Sequence, residues 1–132
     1  MTFLSELNAR AAAELRAQAS TIGARSVDAQ LAASPGLAER FGPRGVEASL
    51  RDARCNVEHL AEAIALGDPE AFAAYVTWLR GVLAAAHVPA PVLATHLGHL
   101  QNAVRAHAAS DSATLAAEYI ALALGRMVKD AP

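Results

Sequence analysis

Three histidines fall within one stretch of apolar periodicity, and they are the residues whose type and spacing most invite chemistry. His96 follows Val92 by four residues and Leu93 by three, and precedes Leu100 by four, which points it into an apolar helix face. His107 shares that face, and His99 lies at its edge. A neutral imidazole in apolar surroundings can ligate a metal or haem iron, or bond the polar edge of a ligand. His96 and His99 could share one metal, but His107 would sit about 16 Å from His96 at the helical rise. Further ligands would have to come from Glu58, His59 or Glu118, whose faces do not converge, and neither Glu-x-x-His nor His-Glu-x-x-His occurs. No metal site is expected. The histidines read as core or interface residues, with His96 and His99 as candidate polar handles for a ligand.

A second constellation is Asp52, Cys55, His59 and Glu62, spaced by three, four and three along one stripe. A Cys and a His four residues apart can meet, the minimum for an activated thiolate. This stripe lies opposite the apolar series Val46, Leu50, Ala53, Val57, Leu60 and Ile64, so a solvated polar face is expected there. No Gly-rich turn nearby offers oxyanion donors, and Gly42-Pro-Arg-Gly45 lacks the Lys-Ser/Thr of a phosphate-binding loop. No catalytic residue is assigned. Asp52, Cys55 and His59 stay as possible polar-face contacts.

The elements that must position these residues are all helical. Asp68-Pro69 is a helix start, since Asp can cap free N–H groups and Pro fits the first helical position. Phe72, Tyr75, Val76, Leu79, Val82 and Leu83 then form one face, while Ala71, Ala74, Trp78, Gly81 and Ala85 form a second stripe roughly 130° away. Trp78, the single tryptophan, thus stands off the main core face among small residues, where another helix or a flat ligand could approach. A first helix is predicted over Thr2–Ile22, with Gly23–Ala33 unassigned and Leu37–Phe41 as a short helical turn. Gly42-Pro43-Arg44-Gly45 is the clearest break, followed by a helix ending at Gly67. His87-Val-Pro89-Ala-Pro91 closes the central helix. Ser110-Asp111-Ser112 starts a last helix, reaching Lys129, that is apolar around much of its circumference and so is central or covered by a partner. The expected architecture is all-α: one domain over residues 1–132, a bundle of about five main helices.

Composition agrees. About a quarter of the 132 residues are Ala, net charge is −2, and acidic and basic residues are interspersed. No basic patch interleaved with aromatics argues for nucleic acid. A single Cys excludes an internal disulfide and suits a reducing compartment. The N-terminus does not read as a signal peptide, and no apolar run approaches the ~20 residues of a membrane span. A soluble, cytoplasmic protein without a membrane partner is the expectation.

Arg40-Phe-Gly-Pro-Arg-Gly45, Asp52-Ala-Arg-Cys-Asn-Val-Glu-His59-Leu-Ala-Glu-Ala-Ile64 and Gly67-Asp-Pro-Glu-Ala-Phe72-Ala-Ala-Tyr75-Val-Thr-Trp78 resemble a known pattern over residues 31–104. It is similar to the helical-bundle domain that precedes the cobalamin-binding domain in B12-dependent bacterial regulators and photoreceptors. The resemblance implies that Trp78 covers one axial face of a corrinoid. It also implies that the cobalamin-binding domain, which does not follow Pro132, is a separate protein, or that the bundle keeps a sensory or docking role. The resulting expectation is a non-enzymatic regulatory bundle that binds a tetrapyrrole, cobalamin or haem, against Trp78 and Tyr75, with His96 or His99 as polar handle, and signals to a partner regulatory protein. The alternatives are a ligand-free homodimeric interaction module, built through the last helix and the Ala71–Ala85 stripe, and a small metalloenzyme using the histidines.

Overall fold

The computed structural model describes residues 3–129 and contains six helices: α1 (Phe3–Ala17), α2 (Ala19–Ala33), α3 (Leu37–Leu66), α4 (Pro69–Ala85), α5 (Ala90–His107) and α6 (Ser110–Lys129). The all-α expectation holds, with six helices in place of about five. The difference arises in the first stretch, where one helix to Ile22 was expected and the chain breaks at Gln18 (φ −108°, ψ 11°). Nothing local forces this break, because every residue from Arg16 to Ala19 tolerates a helix. The Gln18 side chain instead donates to the carbonyl of His107 at 3.1 Å, satisfying a carbonyl left open at the end of α5. The unassigned Gly23–Ala33 stretch is the body of α2. The expected start at Thr2 lies outside the described residues.

Local signals explain the other boundaries. Asp68 Oδ1 accepts from the Glu70 N–H at 3.1 Å, with Pro69 at the first position of α4. Gly67, at φ 65°, closes α3 in the left-handed conformation that glycine adopts without penalty. Asn8 of α1 donates to the Ile64 carbonyl at 2.9 Å and ties α1 to that end.

Helix α6 packs against α1, α3, α4 and α5, so its apolar circumference is covered from within the chain and its place is central. Leu15, Ile22, Val57, Leu60, Ile64, Phe72, Val76, Leu97, Leu100, Val104 and Ile120 are essentially inaccessible and form one core. Each such side chain stabilises the fold by about 1.5–3 kcal/mol relative to exposure. Helix α2 lies across α3 and α5. A Cβ on Gly23 would stand 2.9 Å from the Arg54 backbone nitrogen, so this glycine is what lets α2 and α3 touch.

One irregularity shapes the site. Within α3, Gly42 has φ 68° and ψ 172°, a conformation essentially restricted to glycine. It divides a short segment, 37–41, from the long helix that Pro43 begins. The bend carries Arg40 and Phe41 over the ends of α4 and α5.

Candidate functional site

Between the first half of α3, the second half of α4 and the start of α5 the apolar faces do not meet, and they leave a cavity of about 420 Å³. This is within the roughly 300–1,000 Å³ range of small-molecule sites. Phe41, Leu79, Leu83, Val88, Val92 and Leu93 provide apolar wall; Gln30, Arg40, Ser49, Asp52, Asn56 and His96 provide polar groups. Two larger but more open grooves, of about 560 Å³ beside Arg54 and Glu58 and about 610 Å³ beside Asp111 and Glu118, lack this combination.

The polar side is organised by a relay. The Tyr75 hydroxyl donates to Asn56 Oδ1 at 2.6 Å, and Asn56 Nδ2 stands 3.2 Å from His96 Nε2. With the amide oxygen committed to Tyr75, the Asn56 NH2 can only donate, so Nε2 accepts and the His96 proton resides on Nδ1. Burial, and then the neighbouring charge of His99, lowers the His96 pKa to about 4, so the ring is neutral at physiological pH. Burial, followed by negative charge at Cys55 and Asp52, pushes the Tyr75 hydroxyl up to about 12 and keeps it a donor. The Tyr75 ring is held between His59, stacked at 3.9 Å and 13°, and Trp78, tilted at 5.9 Å. The arrangement presents a fixed neutral imidazole, a carboxylate and a guanidinium to one apolar cavity. A ligand with both N–H donors and acidic groups would satisfy all three.

The residues singled out from sequence separate into two groups. His96 and Asp52 line the cavity. Tyr75 reaches it through Asn56, while Trp78 lies outside the lining with 61% of its surface exposed. His99 is half-buried one turn beyond His96, and Cys55 and His59 are exposed beside the site, as the polar-stripe reading expected. His107, at the far end of α5, accepts from the Gln18 side chain through its backbone carbonyl. No group of three His, Cys, Asp or Glu among the described residues could hold a metal ion. No helix among them is long and apolar enough to cross a membrane.

Sequence reasoning passed over Asn56, Ser49 and Gln30. Asn56 did carry a signal: it is a polar residue on the buried stripe between Ala53 and Leu60, and such a residue needs partners. Arg40 and Phe41 reach the cavity only because of the bend at Gly42, which periodicity does not reveal.

No curated protein and no solved structure matches the chain. A family model described as phycobilisome protein matches residues 4–127. This overturns the resemblance to the bundle of cobalamin-dependent regulators, which spanned 31–104 alone. The Phe-x-x-Tyr-Val-x-Trp run that carried it is a helix-packing pattern, with Phe72 and Val76 in the core and Trp78 outside the cavity. Over almost its whole length, the chain belongs to the phycobilisome protein family.

Proposed function

We propose that this chain is a non-enzymatic bundle that binds an open-chain tetrapyrrole in the cavity between α3, α4 and α5. Phycobilisome proteins hold a bilin tetrapyrrole covalently and assemble into oligomers. The observation that carries the reading is the cavity itself: apolar walls with one carboxylate, one guanidinium and one neutral imidazole. Asp52 would accept from pyrrole N–H groups, Arg40 would pair with an acidic side arm, and His96 would donate from Nδ1. Leu79, Leu83, Val88 and Val92 would exclude water from the conjugated system. A bound bilin supplies visible-light absorption. Occupancy would press on the short segment before Gly42, and that is where a packing change would start if the bundle signals to a partner.

The test is an absorption titration of the purified protein with biliverdin. A saturable spectral shift, weakened at least tenfold in Asp52→Asn and unchanged in Trp78→Ala, is the expected result. A featureless titration overturns the reading. Loss of the shift in Trp78→Ala with Asp52→Asn unaffected would move the site to the exposed Tyr75–Trp78 face.

A further inference from the structure

We propose that this chain, unlike the covalent pattern of its family, holds its tetrapyrrole without a covalent bond. The inference rests on the function proposed above and concerns how the ligand is retained. A tether to a conjugated tetrapyrrole needs a nucleophile on the cavity wall, and among amino-acid side chains the thiolate is the competent one near neutral pH. The chain has one cysteine, Cys55. It is exposed and does not line the cavity. The α3 residues that do, Ser49, Asp52, Ala53 and Asn56, span one arc of the helix, and Cys55 projects roughly 110° from the middle of that arc at 3.6 residues per turn.

The remaining side chains of the wall do not replace it. Ser49 is the hydroxyl of the α3 wall, and its Oγ donates to the Gly45 carbonyl at 3.0 Å rather than to a base. The imidazole that could deprotonate it is committed, since His96 Nε2 accepts from Asn56. Retention therefore falls to shape, apolar contact and the charges of Asp52 and Arg40. The ligand is exchangeable, and it leaves when the bundle unfolds.

The experiment uses the full chain, mixed with biliverdin or purified from cells that make it. Absorption of the native protein reports binding. Intact mass and in-gel pigment fluorescence after denaturation in guanidinium or detergent report a tether. The expected result is a native absorption shift, an unmodified chain mass after denaturation, and the same binding in Cys55→Ser. A mass increased by one biliverdin, at Cys55 or elsewhere, overturns the inference while leaving the proposed function standing. A native protein with no absorption shift overturns both.

Discussion

Helices α3 and α4 each have a closed half and an open half, and the contrast locates the site. In α3 the buried residues run from Ala53 to Ile64, whereas none between Leu37 and Asp52 is buried. In α4 Phe72, Ala73 and Val76 are buried, whereas Leu79 and Leu83 are half-covered and face the cavity. The apolar repeat is equally regular through both halves. In the closed half α4 meets α6 while α3 is covered mainly by α1 and α2, and in the open half the repeat borders a space large enough for a ligand. Hydrophobic periodicity thus specifies which face turns inward, but not whether protein or something else fills the inside.

The contrast breaks most visibly under truncation. Phe72→Ala, in the closed half, should cost about 3–5 kcal/mol, because the core around it collapses only in part. Leu83→Ala, on the cavity wall, should cost about 1 kcal/mol, since the side chain already lacks neighbours on one side. Urea unfolding of both variants measures the difference. Equal losses would mean that the open half is packed as tightly as the closed one.

Acidification sharpens the same contrast electrostatically. The His96 pKa is about 4 when folded against 6.5 for the ordinary side chain, so between these values the unfolded chain binds the extra proton. Stability should be fully present above about pH 6.5 and fall as pH drops toward 4, by about 3 kcal/mol at most. In His96→Gln the amide oxygen can still accept from Asn56, so the fold persists while that part of the pH slope disappears. Chemical denaturation from pH 4 to pH 8 compares the two, and identical slopes would remove His96 as the titrating group.

Gly23→Ala and Gly42→Ala divide backbone effects between the regions. At Gly23 the added methyl meets the Arg54 and Ala53 backbones, which forces α2 from α3 and should cost about 1–3 kcal/mol through overpacking. At Gly42 the added methyl meets nothing within 4 Å, and the cost, again about 1–3 kcal/mol, comes from the φ of 68°. Only the second should weaken biliverdin binding, because only it re-aims Arg40 and Phe41. Thermal melts and absorption titrations on both variants separate the effects.

The same division explains what could be read in the sequence. The apolar character of α6 left a central place or a partner open, and its packing on α1, α4 and α5 decides for the first. The start of α4 at Asp68-Pro69 and the end of α3 at Gly67 follow from caps and glycine, which act locally. The α1–α2 break does not, because Gln18 is drawn out of helix by a carbonyl 89 residues away in sequence. The placement of His96 in an apolar face was legible from its three- and four-residue neighbours. Its partner Asn56 was not paired with it, since their contact depends on how α3 and α5 are brought together in the bundle, with α2 lying across both. Periodicity placed Trp78 off the core face, where the structure also has it, but an exposed position does not by itself make a binding surface. The cavity wall is made largely of ordinary residues, Ser49, Leu79 and Leu83 among them, whose role comes from how α3, α4 and α5 are arranged, with Arg40 and Phe41 added by the bend at Gly42.

The smallest stability effect should accompany the largest chemical one. Ser49→Cys replaces one oxygen by sulfur on a half-buried wall residue and should change stability within about 0.5 kcal/mol. It places on the cavity wall the nucleophile that Cys55 does not provide there. Addition of its S–H across a conjugated double bond of the ligand forms one C–S bond and delivers the proton to the adjacent carbon, so no oxidant is needed. With biliverdin, this variant should retain pigment through denaturation, giving the chain mass plus one ligand, while the unaltered chain releases it. Blocking Cys55 by substitution to Ser in the same variant should leave the adduct intact, which assigns the bond to position 49. If Ser49→Cys binds and releases biliverdin as the unaltered chain does, the missing wall thiol is not what leaves the ligand untethered. The open half of α3 would then hold its ligand at a distance that this wall does not reach.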